Sequence, residues 1–154
     1  STLIVMPADH AIQSTHGLLD VLTGALELAE SGFIVTLGVQ PTRPETGFGY
    51  ATIGKKILPG KEVFEVTSFL EKPCLDVAKK LFERSDVYWN SGLFVLTTDT
   101  LISEMRKYAA TTLAYLETAA ANSQYENGIT ANRKKESEPN HKIQKHKNKK
   151  YIYI

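Results

Sequence analysis

The chain has 154 residues, 42% of them hydrophobic, and a formal net charge of +1, which suits one domain with a real core and excludes a disordered chain. No apolar run nears the roughly 20 residues of a membrane helix, and the single cysteine, Cys74, excludes an internal disulfide and a cysteine-built zinc site. The near-neutral total hides two unlike pieces: residues 1–131 carry 10 basic and 15 acidic side chains, and residues 132–154 carry 8 and 2, so an acidic body precedes a basic tail. The opening Ser1-Thr2-Leu3-Ile4-Val5-Met6 lacks the basic leader and the length of a signal segment, so a cytoplasmic location is expected. His10, His16, His141 and His146 have no metal-ligand spacing.

In chain order, Leu3-Ile4-Val5-Met6 reads as a strand buried on both faces, as in a parallel sheet, and Pro7 ends it. Leu18, Leu22, Ala25, Leu26 and Ala29 fall on one stripe of a helix over about Thr15 to Ser31, capped by Gly32. Phe33 to Val39 is a second buried strand, so the opening forty residues form a βαβ unit. Residues 40–49, with two prolines and two glycines, read as a loop at the carboxyl end of that strand, where α/β sheets build ligand crevices. Tyr50 to Ile57 and Val63 to Glu71 are strands joined through Pro59-Gly60, an antiparallel pair. Leu75 to Ser85 is a helix with Leu75, Ala78, Leu81 and Phe82 on one face, Tyr88 to Leu96 a strand, and Asp99 to about Asn122 a longer, weakly amphipathic helix.

Beyond about Gln124 this patterning stops. Residues 124–154 form a lysine-rich tail that should not pack, set apart from a domain at residues 1–123. Its Lys, Asn, Ile and Tyr content, from codons rich in A and T, is what read-through or out-of-frame sequence would give. A basic arm for nucleic acid is the functional alternative, but without interleaved aromatics no nucleic-acid partner is expected.

Asp9 follows a buried strand and a proline, which aims its carboxylate at the crevice. Such a position suits Mg²⁺ if a ligand supplies further oxygens; the plainer reading is a cap for the next segment. Taken alone, Glu71-Lys72 is a solvated strand end, Trp89 is core filler, and Gly47-Phe48-Gly49 is a turn.

The order Pro7-Ala8-Asp9-His10, Gln40-Pro41-Thr42-Arg43-Pro44-Glu45-Thr46-Gly47-Phe48-Gly49-Tyr50, Phe69-Leu70-Glu71-Lys72-Pro73 and Trp89-Asn90-Ser91-Gly92-Leu93-Phe94 resembles the mannose-1-phosphate guanylyltransferases among the sugar nucleotidyltransferases. The resemblance implies a Rossmann-like α/β nucleotidyltransferase domain with a mostly parallel mixed sheet, incomplete at both ends, and a central fragment of the parent enzyme. That parent would join GTP and mannose 1-phosphate into GDP-mannose and pyrophosphate. The resemblance assigns Asp9 to Mg²⁺, Asp9 and Lys72 to catalysis, and Gly47, Gly49, Glu71, Lys72 and Asn90 to the sugar phosphate. Glu71 would accept from sugar hydroxyls, Lys72 would neutralise phosphate, Asn90 would read adjacent hydroxyls, and the glycines would offer backbone N–H groups.

The family commonly has tyrosine at Phe48, and its glycine-rich nucleotide loop, G-x-G-x-R, has no counterpart in this sequence. The chain alone is therefore expected to be inactive. A uridylyl-, thymidylyl- or adenylyltransferase for another hexose 1-phosphate, and a non-catalytic sugar-nucleotide-binding module, are the alternatives. No membrane partner is expected, whereas self-association through exposed strand edges is expected.

Overall fold

The computed structural model describes residues 1–12, 14–126, 129–132 and 150–153. It divides into two units, Ser1–Thr100 with Asn148–Ile154, and Leu101–Lys147.

The first unit opens with strand β1 (Thr2–Val5) and helix α1 (Thr15–Glu30). Ser14 caps α1, its Oγ accepting the Gly17 N–H at 3.2 Å, which satisfies one of the donors a helix start leaves open. At the other end Gly32 takes a φ of 88°. That conformation lets its N–H reach Ala29 O at 2.9 Å and the Phe33 N–H reach Leu28 O at 3.3 Å, a paired closure of the last carbonyls that favours glycine. The stripe read from the sequence is the buried one: Ala25 and Ala29 are fully covered, and Leu18, Leu22 and Leu26 pack beside them.

Strand β2 (Ile34–Val39), the hairpin of β3 (Gly49–Lys56) and β4 (Val63–Glu71), helix α2 (Leu75–Phe82) and strand β5 (Val87–Thr97) follow. The hairpin is antiparallel as expected, turning through Gly60 at a φ of 75°. On α2, Ala78 is buried, but Leu75 and Phe82 are exposed, so the face read as continuous is covered only at its middle.

The expectation of a mostly parallel sheet is corrected. The fold is mixed α/β, but β5 pairs antiparallel with β1, β2 and β3, and β3 pairs antiparallel with β4. The cause is one insertion: β1 and β2 run the same way on either side of β5, so the βαβ crossover exists with a later strand threaded through its gap. The double-sided burial expected of β1 is corrected with it. Among the described residues β1 pairs with β5 alone, and Ile4 and Val5 are 43% and 52% exposed, an apolar edge of the kind on which copies associate.

Tail residues also enter the sheet. Strand β8 (Lys150–Tyr153) lies parallel to β2 and antiparallel to β4, where the composition of residues 124–154 had suggested no packing; residues 133–149 lie outside the described residues. The main core packs Ala25, Leu28 and Ala29 of α1 against Val35, Val63, Leu93 and Val95. Each larger aliphatic chain so buried contributes about 1.5–3 kcal/mol.

The second unit takes most of α3 (Thr98–Tyr108), then α4 (Ala110–Ala121) and a hairpin of β6 (Ser123–Glu126) and β7 (Ile129–Asn132). The single long helix expected over these residues is two. Ala109 leaves helical geometry at a φ of −144°, next to the β-branched pair Thr111-Thr112, whose restricted side chains weaken helix propensity.

Candidate functional site

Three strands carry the site to one level. In β3, Gly49 lies opposite Glu71 of β4 on one side and Asn90 of β5 on the other. A β-carbon on Gly49 would stand 2.5 Å from Glu71 Oε2 and 3.6 Å from Asn90 Cβ. The glycine is what lets the carboxylate and the amide converge. Asp9 and His10 line the same cavity, after a strand that pairs with the far end of β5.

The cavity measures about 760 Å³, and Asp9, Gly47, Gly49, Glu71 and Asn90 all line it. Of the residues assigned from the sequence, Lys72 is the one the structure does not bring to the cavity wall. Its backbone is distinctive, however: Lys72 is the one non-glycine residue with positive φ among the described residues, at 45°. Its N–H donates to Phe48 O at 3.1 Å, which ties the Glu-Lys-Pro segment to the glycine loop. A lysine in the left-handed region costs energy that packing must supply, and such strain gathers at functional sites.

Gly92 explains how two motifs meet. It sits at a φ of 76° in a bulge of β5, where the register against β2 jumps from Thr36↔Phe94 to Gly38↔Asn90. A β-carbon there would come within 3.2 Å of Pro7 Cγ. The room that Gly92 leaves is taken by the proline of the Asp9 motif.

The loop over residues 43–49 is tied by Glu45. Its Oε2 accepts from Arg43 Nη2 at 2.9 Å and Nε at 3.1 Å, and its Oε1 accepts from the Thr46 and Gly47 N–H groups at 2.9 and 3.0 Å. The Gly47 N–H therefore serves Glu45, where the sequence had offered it to a sugar oxygen. Arg43 lies over the Trp89 ring at 5.5 Å, and Phe48 meets that ring edge-on at 5.1 Å. Trp89 is 7% exposed and packs with Tyr50, Ala78 and Val87, so it is core first and cavity wall second. Its Nε1 is buried with no partner among the described residues.

The Gly47 N–H, and after it the Arg43 guanidinium, hold the Glu45 carboxyl below the ordinary glutamate value. A lowered folded-state pKa stabilises the loop above the unfolded value and loses that contribution as pH falls through the folded one. Trp89 is the chain's one tryptophan, so its fluorescence is expected to stay constant through the ordinary glutamate range and to change only below it. In Glu45→Gln the acid-side change should vanish; an unaltered profile in that variant would assign the change elsewhere.

Among the described residues no three His, Cys, Asp or Glu side chains cluster as a ready metal site. Asp9 nonetheless fits a cation that takes most of its ligands from phosphate and water, as Mg²⁺ does. Sequence reasoning missed Thr36, Arg43 and Glu45, which contact the lining residues Asn90, Trp89 and Gly47 in turn. A lone hydroxyl inside Ile34-Val35-Thr36-Leu37 was the available signal for the first.

The chain belongs to the nucleotidyl transferase family, whose model matches residues 1–135. It is 38% identical over 120 residues to the mannose-1-phosphate guanylyltransferase ManC of Salmonella typhimurium, which covers 76% of this chain and 25% of that protein. To a mannose-1-phosphate guanylyltransferase of Escherichia coli it is 36% identical over 108 residues, 69% of this chain and 23% of the relative. The chain thus spans about a quarter of the length of these relatives. Its fold matches the crystal structure of a mannose-1-phosphate geranyltransferase from Thermus thermophilus with a TM-score of 0.71 at 32% identity, over 80% of this chain and 36% of that one. Among the described residues no helix is long and apolar enough to cross a membrane.

Proposed function

We propose that the cavity is the sugar-phosphate half of a mannose-1-phosphate guanylyltransferase site. The observation that carries this reading is the convergence of Glu71 and Asn90 across Gly49 in the lining of a cavity that Asp9 also lines. Glu71 offers only acceptors and so suits sugar hydroxyls; Asn90 offers donor and acceptor. Lys72 is charged and adjacent to Glu71, which suits it to phosphate. Asp9 would hold Mg²⁺, which when bound neutralises phosphate charge. In the full reaction an oxygen of the sugar phosphate attacks the α-phosphorus of GTP and pyrophosphate leaves. Positioning and charge stabilisation suffice for such a displacement, and no covalent enzyme intermediate is needed.

Titration calorimetry of this chain with mannose 1-phosphate and with glucose 1-phosphate tests the reading. Mannose 1-phosphate is expected to bind more tightly and to gain affinity from Mg²⁺, and Asp9→Asn is expected to lose that gain. The 154 residues alone should release no pyrophosphate from GTP and mannose 1-phosphate, because they contain no glycine-rich G-x-G-x-R loop. Equal or absent binding of both sugar phosphates would remove the assignment, and robust turnover would remove the claim of inactivity.

A further inference from the structure

Thr36 is the polar side chain most fully buried among the described residues, at 1% exposure, in a strand otherwise apolar around it. Buried hydroxyls persist where they serve a partner, and Thr36 has two. Its Oγ1 lies 2.8 Å from Asn90 Oδ1 and 2.9 Å from Leu93 O. Asn90 Oδ1 also accepts the Gly92 N–H at 3.2 Å.

The Gly92 contact sets which way the Asn90 amide faces. A backbone N–H only donates, so the atom it meets is the carbonyl oxygen, and the Thr36 hydroxyl, which has one proton, shares it between that oxygen and Leu93 O. Turning the amide over would set two N–H donors against each other at Gly92. Oδ1 is thus occupied from two sides. Asn90 lines the cavity, and its Nδ2 has no hydrogen-bond partner among the described residues. The bulge in β5 makes this possible, because it brings Gly92 N and Leu93 O back over Thr36, whose strand partner is Phe94.

We propose that Thr36 is a positioning residue: it locks the Asn90 amide with Nδ2 toward the cavity, so that the site reads an oxygen acceptor on its ligand. This rests on the reading of the cavity as a sugar-phosphate site, and it adds to that reading a residue that touches no ligand. It also assigns a direction to the Asn90 contact. A ligand oxygen with a free lone pair at that point is favoured, and a group that can only donate is rejected, because it would meet another donor.

Three variants of this chain test it. Thr36→Val keeps the shape and removes the hydroxyl, Thr36→Ser keeps the hydroxyl, and Asn90→Asp keeps Oδ1 while removing the Nδ2 donors. In calorimetry with mannose 1-phosphate, Thr36→Val is expected to bind roughly tenfold more weakly, the size of a lost, well-placed hydrogen bond. Thr36→Ser should stay within about twofold of the wild type. Asn90→Asp should lose binding at least as far as Thr36→Val, and combining Thr36→Val with Asn90→Ala should add nothing to Asn90→Ala alone.

A second readout needs no ligand. The two Nδ2 protons of Asn90 should give a sharp, well-separated pair of amide signals by NMR in the wild type and in Thr36→Ser, and a broadened or merged pair in Thr36→Val. If Thr36→Val does not fold, Asn90→Asp carries the test, and tight binding by it overturns the proposal. So does an unchanged Asn90 signal in folded Thr36→Val, or wild-type affinity in that variant. If the wild type binds no mannose 1-phosphate at all, the sugar-phosphate reading falls, and the NMR comparison still decides the positioning role.

Discussion

Replacing Gly49 with alanine is expected to lower affinity for mannose 1-phosphate at least tenfold, about 1.4 kcal/mol, while the melting temperature barely moves. The separation of the two effects follows from what a methyl group would meet. The nearest atom is Glu71 Oε2 at 2.5 Å, the free end of an exposed side chain, and the next is Asn90 Cβ at an ordinary 3.6 Å. A flexible carboxylate swings aside at little cost, and alanine in a strand loses less backbone entropy than glycine. Folding is spared, but the carboxylate is expelled from the place where it converges with Asn90. Calorimetry beside a thermal melt distinguishes the outcomes: unchanged affinity, or a melt that collapses along with binding, would contradict this account of Gly49.

Tyr50, one residue on, should give the opposite pattern. It is the largest fully buried side chain among the described residues and packs with Ala78, Val87 and Trp89. Truncating such an aromatic to alanine costs about 3–5 kcal/mol, a large share of the roughly 5–15 kcal/mol that holds a domain folded. Tyr50→Ala is therefore expected to unfold far earlier in urea than the wild type. Tyr50→Phe separates packing from bonding. The phenol donates to Glu45 O at 2.7 Å and accepts from Glu45 N at 2.8 Å, so its loss should cost about 1–2 kcal/mol and free the loop that carries Arg43 and Phe48 over Trp89. A shifted Trp89 emission in Tyr50→Phe with most of the stability retained is the expected result. Equal destabilisation by the two variants would mean that the hydroxyl, and not the ring, holds this corner.

Local elements were readable in the sequence where one residue carries one instruction. Gly32 ends α1 because a left-handed turn is a single-residue requirement. Val63 to Glu71 is the strand β4 to the residue, because Pro59-Gly60 fixes one end and Pro73 closes the other. Sheet direction was not readable, since an apolar run such as Leu3 to Val5 says that a strand is apolar and not which strand lies beside it. The break at Ala109 escaped for a related reason: neither glycine nor proline marks it. In the candidate site, Asp9, Gly47, Gly49, Glu71 and Asn90, which the resemblance assigns together, all line one cavity. Thr36 and Glu45 act by holding other groups, and a residue's service to a partner 54 positions away, as Thr36 to Asn90, leaves no local pattern to read.

The placement of β5 between β1 and β2 governs how the protein must fold. The first strand has no sheet neighbour within the opening forty residues; its partners run from Thr2↔Thr97 to Val5↔Phe94. When these 154 residues refold, the strand that leads into Pro7-Ala8-Asp9-His10 therefore waits for a partner some ninety positions further on. Closing a loop of that length precedes any reward from the pairing, which slows folding and lengthens the time an apolar strand stays open to other chains. Assembly of the cavity and completion of the sheet are then one kinetic event, and refolding is expected to recover ligand binding and native β-structure at a single rate.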